Sequence, residues 1–208
     1  MDLVAQVRTA ILEGRYPPGT LLSQTDLARE HGVSRIPIRD ALMALAADQL
    51  VEIFPGKGAR VVRLAPAELE EVFDLRIMLE CDLLDRAVAR ADEAAKQEVS
   101  YVLRRSSLEA GRPGWHRGDW DFHRALYVPA NRPRQLAIIE NLRKICVVQA
   151  HSYASLATET PRWLRDHEAI TEAFVAGRKA EACTLLEEHL RASWSKLQIL
   201  AAAASSGS

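Results

Sequence analysis

No apolar stretch in this sequence approaches the roughly 18 consecutive residues that a membrane span requires. The start, MDLVAQVRTAILEG, sets Asp2, Arg8 and Glu13 among its apolar positions, so it reads as neither a signal peptide nor an anchor. Cysteine is scarce: Cys81, Cys146 and Cys183 are odd in number, far apart and outside any CxxC pair. That spacing argues against a disulfide framework and a thiolate zinc site, and makes a reduced, cytoplasmic protein the expectation. An excess of charge is missing too. The 208 residues carry 27 Lys+Arg against 28 Asp+Glu, a net charge of -1, so composition alone does not point to nucleic acid.

What is present changes character at Leu64. Before it, glycine and proline mark off short elements. Leu3, Val7 and Ile11 recur at helical spacing up to Gly14, and YPPGT follows as a turn. Ser23 can cap a short helix that Gly32 closes, and Ser34 can cap the next, whose Ile38, Ala41, Leu42 and Leu45 share one face. Two short helices joined by HGVS make a helix-turn-helix. LVEIF and ARVVR then flank PGKG, a β-hairpin signal. Three helices and a hairpin describe a winged helix-turn-helix over residues 1–64.

After Leu64 every pattern is helical, over about 67–90, 93–108, 117–128, 132–154, 161–176 and 178–199. The expected fold is therefore mostly α: the winged helix-turn-helix, then an all-α six-helix bundle over 65–200. The small, polar AAAASSGS, 201–208, reads as a disordered tail.

The segment SRIPIRDAL places Ser34, Arg35, Pro37 and Arg39 in the first turns of the second helix of the helix-turn-helix. Free N–H groups and the helix dipole attract phosphate there, and Arg side chains can reach guanine edges. Lys57 and Gly58 at the hairpin tip, with Arg60 and Arg63 behind them, supply a second positive element. The competing reading, an ordinary solvated helix face, weakens once the string sits in a helix-turn-helix followed by a wing.

On these stretches, ILEGRYPPGTLLSQTDLA, EHGVSRIPIRDALMALAADQLVE and PGKGARV, residues 3–63 resemble the DNA-binding domain of GntR-type transcriptional regulators. The resemblance implies operator contacts from Arg35, Arg39 and Gly58. Two departures stand out: Asp40 replaces the usual Glu, and Asp48–Gln49 replace a Glu-Gly pair, removing the glycine stop of the recognition helix.

In the helical half, Asp119 and His123 are one turn apart in GDWDFHRAL, so one helix face presents a carboxylate with an imidazole. His167 and His189 lie on two further helices. One carboxylate and three imidazoles suit a divalent transition metal, although helix histidines are more often surface or hydrogen-bonded residues. Residues 67–200 also resemble the effector-binding helical domain of the FadR subfamily of GntR regulators, in its shorter VanR-like branch. Asp119, His123, His167 and His189 fill the four places of its metal-binding pattern, with Asp166 where that pattern has Glu.

The resemblance implies zinc, with nickel or another metal as alternatives, and open coordination positions taken by the carboxylate of a small organic acid. It also matches Arg76 to an effector-facing Arg and Asn131 to the Asn of a family turn; the plainer readings are a surface ion pair with Glu80 and a structural turn. His151, Ser152 and Tyr153 could line a cavity or face solvent, His31 and His116 read as turn and loop residues, and the four tryptophans read as packing. No HExxH is present, and neither Glu168 nor Asp121 has a spacing that makes it a hydrolytic base, so no catalytic residue is assigned.

The function expected is an effector-controlled repressor, not an enzyme. It would be homodimeric, because a palindromic operator needs two recognition helices about one turn of DNA apart. A metallohydrolase fused to a DNA-binding module, and a constitutive DNA-binding protein with a dimerising bundle, are the alternatives. Five basic residues between Ser34 and Arg63 put positive charge at the helix start and the wing. With so few, specific binding should depend on both subunits.

Overall fold

The computed structural model describes residues 2–112, 115–150 and 159–206. Helix α1 (Leu3–Leu12) starts where the Asp2 side chain accepts from the Val4 N–H, and it buries Val7 and Ile11 one turn apart. Ser23 accepts from the Asp26 N–H to cap α2 (Gln24–His31), and Gly32 ends it at φ +65°. Helix α3 (Arg35–Ala47) buries Ile38, Ala41, Leu42 and Leu45, the expected face. These residues meet Leu22, Leu50 and Val61 in one apolar core.

The hairpin forms between β2 (Val51–Phe54) and β3 (Gly58–Val61). A third strand, β1 (Leu21–Leu22), pairs with β3 from the other side, giving an antiparallel sheet in the order β1-β3-β2. Two residues carry no readable period, which is why the sequence gives only the turn before it.

The C-terminal half contains α4 (Pro66–Arg90), α5 (Glu93–Glu109), α6 (Trp115–Tyr127), α7 (Pro133–Gln149), α8 (Thr160–Val175) and α9 (Lys179–Ser206), with a short 3-10 turn, Val128–Ala130, between α6 and α7. The Glu68 side chain accepts from the Ala65 N–H, and Pro66 occupies the first turn of α4, where a missing N–H costs nothing. Helix α4 packs on α7 and α9, α5 on α6 and α8, and α8 on α9. Leu83, Leu84, Phe122, Leu126 and Ile170 are fully buried among them. The expectation of a disordered tail from residue 201 is corrected, since α9 runs on to Ser206; its alanine run favours helix. His151, Ser152 and Tyr153 lie outside the described residues.

Helix α7 belongs to both halves. Val148 joins the apolar core of the winged helix. Next to it, the Gln149 side chain accepts from the Leu64 N–H (3.0 Å) and donates to the Val62 carbonyl (3.1 Å), clasping the chain as it leaves the wing.

Two backbone positions have opposite consequences. Gly58 sits at φ +117°, and a Cβ there would overlap the Leu22 carbonyl oxygen. Gln49, at the lost glycine stop, is held at φ +57°, which strains any residue with a Cβ. Gly58→Ala is expected to destabilise by about 2–3 kcal/mol, and Gln49→Gly to stabilise by about 0.5–1 kcal/mol. Urea unfolding measures both; a neutral Gly58→Ala would show that β1 does not press on the wing.

Candidate metal centre and DNA-reading surface

One face of α6 carries Asp119, His123 and Tyr127 at successive turns. His167 enters from α8 and His189 from α9, and all three imidazoles are buried. Their available ring nitrogens converge to within 4.8 Å of one another. Asp119 Oδ1 lies 3.8 Å from His123 Nε2 and 3.6 Å from His167 Nε2. The four residues expected to act together are thus brought together, from three helices. Phe122 stacks on His167 at 4.3 Å between ring centres and fixes its plane.

The surrounding hydrogen bonds leave nitrogen lone pairs pointing inward. The Tyr127 hydroxyl donates its one proton to Glu80 (2.6 Å), so toward His123 Nδ1, 3.4 Å away, it can only accept. His123 therefore carries its proton on Nδ1, and Nε2 is a buried acceptor without a hydrogen-bond partner. His189 Nδ1 pairs with Asp166 Oδ2 at 3.1 Å, the carboxylate–imidazole arrangement that orients metal-binding histidines. Both His167 ring nitrogens are buried without a partner. Such orphaned ring nitrogens are costly unless something fills them.

Electrostatics favour the neutral rings that a metal needs. Burial, followed by the charges of Arg143 and the neighbouring imidazoles, holds His123 well below the usual histidine range. Burial and the neighbouring His189 push His167 down to about 3, against the opposing pull of Asp119. Asp166 feels burial in the opposite sense, but its bond to His189 and the nearby Arg162 keep it below the ordinary carboxylate range. Arg143 donates to Asp119 Oδ2 at 2.6 Å, which leaves Oδ1 on the imidazole side. Donor types, burial and protonation all fit a divalent transition metal such as zinc.

A cavity of about 470 Å³ adjoins this cluster, bounded by Arg76, Asp119, Arg143 and His189 from the bundle and by Arg8 and Thr9 from α1. Arg76 does pair with Glu80 (Nε to Oε1, 2.7 Å), but inside the protein and beside the cavity instead of on the surface. Asn131, by contrast, is exposed in a left-handed turn with its N–H bonded to Val128, away from the residues that line the cavity. His116 is a correction: it lies in the first turn of α6, nearly buried on the cavity wall, not in a loop. His31 closes α2 and bonds to Gln6. Trp115 and Trp163 are buried against each other as packing, and Trp163 and Trp120 also reach the cavity. Asp121 is exposed and pairs with Arg105, and Glu168 is exposed.

Sequence reading missed Arg143 and Tyr127, and read Glu80 only as a surface partner. Tyr127 was one helical turn past His123 and could have been found by that spacing; Arg143 comes from a distant helix with no local signal.

In the N-terminal half, Ser34 is the N-cap residue of α3 and its hydroxyl does not cap the helix. Ser34, Arg35, Pro37 and Arg39 are all exposed on the first turns of α3, and Lys57 is exposed at the hairpin tip. Gly58 is buried, so its identity is explained by the wing's close approach to β1. Arg63 is used internally, donating to the Pro18 carbonyl (2.8 Å), and Arg60 lies over the Phe54 ring.

Comparison with known proteins covers both halves. Residues 71–192 match the FCD domain, and residues 2–61 match the bacterial regulatory proteins of the gntR family. An HTH-type transcriptional regulator from the TAR-I ttuE-ttuC' intergenic region of Agrobacterium vitis is 36% identical over 127 residues, covering 58% of this chain and 74% of that protein. The HTH-type transcriptional repressor GlaR of Escherichia coli (strain K12) is 27% identical over 203 residues, 91% of each chain. The solved structure of E. coli McbR/YncC superposes with a TM-score of 0.81 at 20% identity, over 95% of this chain and 96% of that one, a likeness of fold.

The buried His123 and His167 set a pH dependence. Their folded pKa values lie below the unfolded value of about 6.5, so the unfolded chain takes up more protons below that pH. Stability of the metal-free protein is therefore full above about pH 6.5 and falls as pH drops toward the folded values. His167→Leu is expected to flatten the fall by up to about 1.4 kcal/mol per pH unit between about pH 6 and pH 4, by urea unfolding. An equally steep fall in the variant would mean that His167 is already charged when folded.

Proposed function

Because this chain belongs to the GntR family of bacterial transcriptional regulators and carries the family's FCD domain, we propose that it represses transcription as a cytoplasmic homodimer whose hold on a palindromic operator is set by a metal-bound small carboxylate. The observation that carries the effector part is the cluster of three buried imidazoles, with unpartnered ring nitrogens on His123 and His167, beside a cation-lined cavity. Asp119, His123, His167 and His189 would hold the metal, most simply zinc, and the metal supplies a Lewis-acid site for a ligand carboxylate. Arg76 lines the same cavity and is suited to the remainder of an anionic effector. Among the described residues no helix is long and apolar enough to cross a membrane. The relatives are named as regulators, Glu168 faces solvent, and Asp121, at the edge of the cavity, is paired with Arg105, so the reading is binding without turnover.

On DNA, Arg35 and Arg39 would enter the major groove with the start of α3, Ser34 and Pro37 would approach the backbone there, and Lys57 with the Gly58 turn would meet phosphate or minor groove. Effector binding shifts the population between arrangements of the paired winged helices and so changes operator affinity.

Two experiments separate the parts. Metal content after equilibrium dialysis against zinc is expected at one ion per chain, and the His167→Ala, His189→Ala double variant is expected to lose it; unchanged content would remove the metal reading. In operator retardation at moderate salt, Arg35→Ala and Arg39→Ala are each expected to abolish the shifted band with the dimer intact by light scattering. Wild-type affinity in both would mean that another surface reads DNA.

A further inference from the structure

The cavity beside the metal cluster is not enclosed by the bundle alone. Ala5, Arg8, Thr9 and Leu12 of α1 form one wall, facing Arg76, Asp119 and Arg143 across it. A ligand there touches the winged helix directly. The cations on the wall are engaged in ion pairs: Arg76 with Glu80, Arg143 with Asp119 and Glu80, Lys144 with Glu140, Arg117 with Glu13, and Arg8 with Asp48.

Of these pairs, the last leads into the recognition helix. Arg8 Nη2 donates to Asp48 Oδ2 at 2.6 Å, and Asp48 is the C-cap residue of α3. The backbone around it is the strained exit already described: the Asp48 N–H bonds to the Ala44 carbonyl at 3.2 Å, Gln49 is at φ +57°, and the Leu50 N–H returns to the Leu45 carbonyl. Arg8 is also incompletely satisfied, since its Nε is buried without a hydrogen-bond partner. The side chains of the pair are 29% and 30% exposed, so water screens their attraction and a competing anion can displace one partner. A carboxylate is well matched to take two parallel bonds from the guanidinium, where Asp48 receives a bond from Nη2.

We propose that Arg8 is a shared ligand of the cavity and the recognition helix: a carboxylate bound in the cavity draws the Arg8 guanidinium from Asp48 and loosens the C-terminal end of α3. The inference rests on the reading of the cavity as a carboxylate site, and adds to it the route by which occupancy reaches the DNA-reading helix. Reciprocity makes it testable without knowing the operator. If ligand and Asp48 compete for Arg8, removing Asp48 must strengthen ligand binding by the amount that the ligand weakens the pair.

The probes are acetate, succinate, glutarate and benzoate, each titrated calorimetrically into the full-length, zinc-loaded protein at low salt. At least one is expected to bind wild type. That acid should bind Asp48→Asn about three- to tenfold more tightly, bind Arg8→Met about tenfold or more weakly, and bind the double variant no better than Arg8→Met. Hydrogen exchange at the Asp48 and Leu50 amides should quicken several-fold on binding in wild type and not in Arg8→Met. Wild-type affinity in Arg8→Met, no gain in Asp48→Asn, or unaltered exchange on binding to wild type would each overturn the role of Arg8 while leaving the carboxylate site standing. Binding of none of the four acids to wild type would overturn the carboxylate reading and this inference with it.

Discussion

Glu80 is a carboxylate with no exposure to water, and the helical half is organised around keeping it ionised there. Burial alone would raise its pKa, but Arg76, Arg143 and the Tyr127 hydroxyl hold it below the ordinary range. Those three partners come from α4, α7 and α6, so a single buried charge fixes the mutual positions of three helices. Each partner then does something else. Tyr127 sets the protonated nitrogen of His123, Arg143 turns Asp119 toward the imidazoles, and Arg76 stands at the cavity. Removing one member of such a set strands the others, which is why buried ionic networks are costly to break even where they add little net stability.

The same helix that brings Arg143 to the cluster carries, within two turns, Val148 into the core of the winged helix and Gln149 to the chain leaving the wing. Helix α1 closes the opposite wall and reaches α3 through Arg8. The two halves are therefore joined by a packed helix and by the cavity wall of α1, whose Arg8 is held to α3 by an ion pair that solvent can reach. A rigid connection and a labile one in parallel give an arrangement that a small ligand can bias without unfolding either half.

Much of this was legible in the sequence, for definite reasons. The helices of both halves have apolar positions at regular spacing, and their ends carry Ser23, Gly32, Pro66 or Gly177 at positions where capping or helix-breaking chemistry applies. Asp119 and His123 are four apart on one helix, so their meeting follows from geometry; His167 and His189 were candidates by residue type on two further helices, and the resemblance strengthened that reading. Strand β1 was too short to show a period, and the tail's alanines were misread because composition was weighed over helix propensity. Arg143, the burial of Glu80 and the α1 wall of the cavity depend on how helices distant in sequence pack, for which no local pattern exists.

The central claim is that the three imidazoles and Asp119 together form a metal site. X-ray absorption at the zinc edge of the loaded protein examines it directly, because Cys146, also on the cavity wall, offers a sulfur alternative. The account predicts a first shell of nitrogen and oxygen only, at about 2.0–2.2 Å, with the outer scattering of three imidazoles. A sulfur neighbour near 2.3 Å, or fewer than three imidazoles, would contradict it.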